Sequence, residues 1–261
     1  MPSATHFITD LAARGRYHFT TAEAVVALDA SVPAVRAALR RLKTKGSVAD
    51  PHRGFHVIVP PEYQSLGCLP AEQFVPQLME HLGEVYYVAL LSAAELHGAA
   101  HQRPQGFQVM VGKNRRPIVC GDVRVQFIAR NHLEKTPVVA KNSPRGVVRV
   151  ASAEATALEL VGYAEHCGGL DNVAVVLVEL AETIDPRSLL AAAKLCPIVW
   201  VQRLGYLLDL CGRRDLAEVL VADVQERAHA MAPLVRAKTT AGAERIERWK
   251  LAINATIEPD L

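Results

Sequence analysis

Aromatic side chains are scarce in this chain of 261 residues, at 5%, so its core has to rest on Ala, Val and Leu. Its five cysteines (Cys68, Cys120, Cys167, Cys196, Cys211) are odd in number and never form a C-x-x-C pair. That spacing argues against a disulfide framework or a zinc ribbon and for reduced thiols. Long hydrophobic runs are missing too: Val173–Val178 is the longest near-uniform stretch, far below the ~18 residues of a membrane span. The opening residues, MPSATHFITD, carry neither a basic run nor an apolar segment, so no secretory signal is expected. The expectation is a soluble cytoplasmic protein with no membrane partner.

The usual marks of catalysis are also missing. No G-x-G-x-x-G or Walker A sequence announces a phosphate cradle. No D-x-D offers the paired carboxylates that hold a divalent metal in nucleotidyl transfer. His97 and His101 stand four apart, but without the H-E-x-x-H pattern, and Gly98 should end the helix between them. Glu95 shares that helix with no third member in view. Cys167 beside His166 resembles a nucleophile pair only on paper, because adjacent helical residues face different ways. No catalytic residue, metal or cofactor is expected, and the chain does not read as an enzyme.

Charge is where the sequence becomes specific. Overall it is nearly balanced, with 29 Lys+Arg against 27 Asp+Glu. Residues 1–60, however, hold eight basic side chains and four acidic ones, while the other 201 residues hold 21 and 23. A basic head on a near-neutral body makes nucleic acid the first partner to test.

Three helices and a hairpin are expected in that head. Residues 3–14 place Phe7, Ile8, Leu11 and Ala12 at helical spacing before Gly15. Thr20 and Glu23 form a T-x-x-E capping box ahead of Val25, Val26 and Leu28. Asp29-Ala30 then turns the chain, and Ser31 caps a third helix that carries Pro33 in its first turn. In this third helix Val35, Ala38, Leu39 and Leu42 form an apolar stripe, and Arg36, Arg40 and Lys43 lie about 100° round the axis. Arg41 and Lys45 widen the positive face, and no acid occurs from Ser31 to Lys45. A helix stabilised for its own sake would interleave Glu with Lys. After Gly46 the period changes to two, and Ser47–Asp50 can pair with Phe55–Val59 across the loop Pro51-His52-Arg53-Gly54.

This order is that of a winged helix-turn-helix, whose recognition helix enters the major groove of double-stranded DNA. Arg36, Arg40 and Arg41 then suit base edges. Lys43, Lys45, His52 and Arg53 suit phosphates, because an ammonium has no planar fork with which to read guanine. The competing reading of the same module is a winged helix used for protein contact.

Val59-Pro60-Pro61-Glu62 breaks the periodicity. The expected organisation is residues 1–60 as the DNA-binding domain, 61–85 as a linker and connecting helix, and 86–261 as a larger C-terminal domain. The helix from Pro70 to Leu82 should kink or start late at Pro76, and Tyr86–His97 reads as a helix closed by Gly98. Strands are expected at Phe107–Val111, Ile118–Cys120, Val123–Ala129 and Gly146–Val150. Helices follow from Ser152 to about Tyr163, from Asp185-Pro186, over Val199–Leu210 and over Asp215–Ala230, whereas Val173–Leu180 allows strand or helix. The residues around Arg248–Asn254 suit an edge strand.

Three stretches carry a resemblance: Tyr86-Tyr-Val-Ala-Leu-Leu-Ser-Ala-Ala-Glu-Leu-His-Gly98, Val201-Gln-Arg-Leu-Gly-Tyr-Leu-Leu208 and Arg248-Trp-Lys-Leu-Ala-Ile-Asn254. Together they resemble the AbiEi family of antitoxins from bacterial type IV toxin–antitoxin and abortive-infection systems. The resemblance implies an α+β protein: an N-terminal winged helix-turn-helix, then a larger mixed α/β antitoxin domain with an antiparallel sheet and several helices. It also implies two roles. One is repression of the chain's own operon through inverted repeats in the promoter; the other is neutralisation of a nucleotidyltransferase toxin, with or without direct contact. Ser92, Glu95, His97, Arg203 and Asn254 are motif positions to which it assigns no individual role. The alternatives are a stand-alone regulator with a sensing domain and a DNA-processing nuclease.

Overall fold

The computed structural model describes residues 3–99 and 105–257. It is a mixed α+β structure that divides into two compact units. The first comprises Met1–Tyr87, Gln105–Leu133 and Ala140–Arg149; the second comprises Val88–Pro104, Glu134–Val139 and Val150–Leu261.

The first unit opens with α1 (Ala4–Ala13), where the Ser3 hydroxyl accepts from the His6 amide. Strand β1 (His18–Thr20) leads directly into α2 (Thr21–Leu28), started by the complete Thr20–Glu23 capping box. Asp29, in the left-handed region at φ 45°, turns the chain into α3 (Val32–Thr44), capped by Ser31. The hairpin is β2 (Val48–His52) and β3 (Phe55–Ile58), with β3 in the centre of the order β1-β3-β2. Its connection is tighter than the four-residue loop expected from sequence. His52 pairs with Phe55, which leaves Arg53-Gly54 as the turn, and Gly54 supplies the positive φ of 80°. The irregularity in register between Ala49 and His52 lets Pro51 sit in an edge strand.

Strand β3 is buried along its whole length, and alternation assigns its residues to two cores. On one side Ile58 and Val48 join Phe19 of β1 and Ile8, Ala24, Leu28, Val35, Leu39 and Leu42 of the helices. On the other, Phe55 and Val57 join Ala49, Val59, Leu69, Phe74, Leu78, Val109 and Val125. The second core runs through Pro60-Pro61 without a break and takes in α4 (Val75–Leu82), which starts late, with Pro76 in its first turn.

The motif beginning at Tyr86 is not one helix. Tyr86–Val88 forms β4, and α5 spans only Leu90–Leu96. Aromatic and β-branched side chains suit a central strand, and the fully buried Leu90, at φ 53°, prevents a helix from running through both halves. Gly98, at φ 87°, ends α5 as expected. His101 lies outside the described residues.

Strands β5 (Phe107–Val111), β6 (Ile118–Cys120), β7 (Val123–Ala129), β8 (Val138–Ser143) and β9 (Gly146–Ala151) complete a six-stranded sheet in the order β6-β7-β5-β4-β9-β8. The sheet is mixed, not antiparallel as expected. β5 pairs in parallel with β7, and Val88 of β4 with Val150 of β9, while β6 and β7 are antiparallel. The intervening segments are long enough to return the chain in the same direction, which a two-residue hairpin cannot do.

In the second unit, α6 (Ala153–Gly162), α7 (Leu170–Leu180), α8 (Pro186–Ala193), α9 (Ile198–Leu210) and α10 (Arg214–Arg227) pack together. The ambiguous Val173–Leu180 stretch therefore belongs to a helix. The strands β10 (Ala232–Pro233), β11 (Glu244–Ile246) and β12 (Leu251–Ile253) form a small sheet in the order β10-β12-β11. The tail strand is thus central and not an edge, because β10 and β11 flank it on both sides. Among the described residues no helix is long and apolar enough to cross a membrane.

Candidate nucleic-acid interface

Helix α3 is divided lengthwise. Val35, Leu39 and Leu42 are buried, whereas Arg36, Arg40, Arg41, Lys43 and Lys45 are all exposed. These three buried side chains hold the helix on its core, so the charged face is free of any packing role. Among the described residues, no carboxylate pairs with Arg36, Arg40, Arg41, Lys45 or Arg53.

Lys43 is different. Its Nζ lies 2.5 Å from Oδ2 of Asp50 on β2. The other carboxylate oxygen of Asp50 is 2.7 Å from His56 Nδ1, which must carry the proton because an ionised carboxylate only accepts. His56 Nε2 in turn lies 2.8 Å from the Thr21 hydroxyl at the start of α2. Burial alone would raise the Asp50 carboxyl, but the His56 and Lys43 bonds outweigh it and hold the group below the usual aspartate value. One carboxylate therefore ties the third helix to the hairpin.

The turn is fixed as well. Thr21 donates its amide to the Gly54 carbonyl at 3.0 Å, and His52 Nδ1 donates to the Arg53 carbonyl at 3.1 Å. Half-buried His52 thus braces the turn, and Arg53 projects from it. Of the seven residues singled out from sequence, α3 carries four, Lys45 is its C-cap, and the turn region holds two. Sequence reading missed Asp50, which entered only as a negative charge; the signal was its position seven residues after Lys43, legible only once strand and helix are known to be adjacent.

The motif positions of the second unit hold structure. His97 Nε2 donates to the Ala151 carbonyl at 2.7 Å, and Ser92 is buried. Asn254 accepts the Val235 amide at 2.9 Å and donates to the carbonyls of Val235 and Lys238, each at 2.8 Å. Arg203 Nη2 donates to the Pro233 carbonyl at 3.1 Å. Gly205 makes room for Trp249: a Cβ there would lie 2.2 Å from the indole ring. Burial pushes the Cys167 thiol up to about 12, which leaves no thiolate to act beside His166. Among the described residues no group of three or more His, Cys, Asp or Glu could hold a metal ion.

Comparison with known proteins gives a fold and a family likeness. A solved structure, the crystal structure of RV2827C protein from Mycobacterium tuberculosis, superposes with a TM-score of 0.67 at 16% identity. The match covers 95% of this chain and 90% of that one, and at this identity it speaks to the fold. No curated protein matches. Residues 87–210 match the AbiEi antitoxin C-terminal domain, a span that takes in the first sequence motif from Tyr87 on and the whole of the second, and leaves α3 outside it. Over that span the chain is similar to the AbiEi antitoxins.

Proposed function

We propose that this protein is a non-enzymatic, cytoplasmic antitoxin of a type IV toxin–antitoxin pair that also represses its own operon. Residues 1–60 act as a winged helix-turn-helix on double-stranded promoter DNA, with α3 in the major groove. Arg36, Arg40 and Arg41 reach for base edges, where a bidentate guanidinium–guanine contact contributes about 1–3 kcal/mol of discrimination. Lys45, Arg53 and His52 meet phosphates, and Lys43 joins them when Asp50 lets go. The remaining chain counters a nucleotidyltransferase toxin, as the family of residues 87–210 suggests.

One observation carries the DNA reading: the exposed cations of α3 have no carboxylate partners among the described residues, apart from Lys43, while Val35, Leu39 and Leu42 of the opposite face are buried in the core. An unpaired basic face calls for a polyanion.

Fluorescence anisotropy with a duplex of the promoter region tests it on the full chain. Affinity should fall steeply with salt, and Arg40→Ala with Arg41→Ala should remove promoter binding. The same double variant should still protect cells from the toxin. A flat salt response, or undiminished binding by the variant, overturns the DNA role; loss of protection by a folded variant overturns the division of labour.

A further inference from the structure

Two cysteines with no part in the DNA reading are brought together inside the first unit. Cys68 follows the short helical turn Pro61–Leu66 and its cap Gly67, and Cys120 ends β6. The Asp122 amide donates to the Leu66 carbonyl at 2.8 Å. Beside that bond, Gly67 and Gly121 meet backbone to backbone. A Cβ on Gly121 would lie 2.0 Å from the Leu66 oxygen and 2.9 Å from the Gly67 Cα. Only glycine permits this approach, and both residues take a positive φ, 67° and 59°. Residues 66, 67 and 68 thus run past 122, 121 and 120, which sets Cys68 opposite Cys120. Their thiols hydrogen-bond to each other, and both belong to the core that covers Phe55 and Val57. The other three cysteines lie in the second unit.

The two sulfurs are not equivalent. Cys68 is 0% exposed, whereas Cys120 is 8% exposed and stands next to the exposed turn Gly121-Asp122. The bond from Cys68 holds the Cys120 thiol below its ordinary value, against the opposing effect of burial, and the Asp50 amide also donates to it. The same bond, with burial, pushes the Cys68 thiol up. Because the thiolate is the nucleophile, Cys120 is the sulfur that meets an oxidant, and Cys68 is the one that resolves the product.

We propose that Cys68 and Cys120 are an oxidation site, a dithiol that hydrogen peroxide closes to a disulfide within the folded first unit. The Cys120 thiolate attacks one peroxide oxygen. An S–O bond forms, the O–O bond breaks, and the departing hydroxide takes up the proton that Cys120 had released. Cys68 then attacks the sulfenic sulfur; the S–S bond forms, the S–O bond breaks, and water leaves with the Cys68 proton. Two thiols lose two electrons, and the peroxide is reduced to two waters. The bridge ties the segment after Pro60-Pro61 to the end of β6. It stands independently of the α3 surface.

Treatment of the native full chain with hydrogen peroxide tests this, read by thiol titration after denaturation and by peptide mass mapping. Two of the five thiols should disappear together, and a linked Cys68–Cys120 peptide should appear and be lost again in dithiothreitol. The bridged chain should melt about 5 °C higher, because the bridge closes a long loop. In Cys68→Ser, Cys120 should stop at the sulfenic acid and take up dimedone; in Cys120→Ser, Cys68 should remain a thiol. A Cys196→Ser, Cys211→Ser double variant should oxidise as wild type does. The proposal is overturned if native wild type keeps both thiols, if the linked peptide forms only in denaturant, or if the bridged chain melts lower. Dimedone capture at Cys68 instead of Cys120 overturns it too. The linked peptide is read on wild type, so a serine variant that fails to fold leaves the test standing.

Discussion

Replacing Asp50 with Asn separates two things that its carboxylate does at once. It holds Lys43 at 2.5 Å and His56 at 2.7 Å, so its loss should weaken the fold and release the Lys43 ammonium together. The Lys43 contact is between partly exposed groups and stabilises by about 0.2–1 kcal/mol. The His56 contact involves a nearly buried ring and, as a hydrogen bond to a charged group, contributes about 1.5–3 kcal/mol. Asn can still accept one of the two bonds, so a loss of about 1–2 kcal/mol is expected, read as a lower urea midpoint with an unchanged m-value. On DNA the direction reverses. A freed Lys43 adds one phosphate contact, and the slope of log affinity against log salt should steepen by about 0.9. Urea denaturation and salt-dependent anisotropy on the same preparation give both numbers. An unchanged midpoint would show that the Asp50 link does not brace the module, and an unchanged slope would show that Lys43 is not being withheld from phosphate.

Acid should act on the same residues. Asp50 and Glu23 both have folded pKa values below their ordinary ones; for Glu23, burial raises the value but bonds from Arg16 and Thr20 outweigh it. Their contributions are complete above the unfolded carboxylate range and vanish as pH falls through the lower folded values. The thermal midpoint should therefore drop below about pH 4, and less so in the Asp50→Asn variant. A wild type and variant that lose stability in parallel would contradict this. In the second unit, Gly205→Ala would drive a methyl group to 2.2 Å from the Trp249 ring. Overpacking of this kind should destabilise by about 1–3 kcal/mol in urea, whereas a neutral outcome would mean that the indole can move aside.

Much of the first unit is legible because its signals are local. The Thr20–Glu23 capping box, the Ser31 cap and the stripe on α3 each depend on residues within a turn or two of one another, and each is found where the spacing puts it. What was misread depends on distant partners. Tyr86-Tyr-Val-Ala-Leu-Leu is apolar throughout and has no period that separates strand from helix; pairing with β9 decides it. β8 ends in Lys-Asn-Ser and has no buried residue, so no hydrophobic alternation marks it. The tail strand reads as an edge because β10 is two residues long and β11 three, too short to announce themselves as flanking strands. The same distinction holds for the basic surface. Its cations are readable as a helical face, but the Asp50 tie on Lys43 exists only where α3 and β2 lie side by side.

The two-sided burial of β3 has a consequence for synthesis. Phe55 and Val57 leave the ribosome long before Val109 and Val125, the side chains that cover them. At roughly 5–20 residues per second the interval is several seconds. Over that time the nascent hairpin can close against the helices but presents its other face, Phe55 included, to water and to chaperones. Translation of the strands up to β7 thus sets the earliest moment at which the basic helix stands on a finished support.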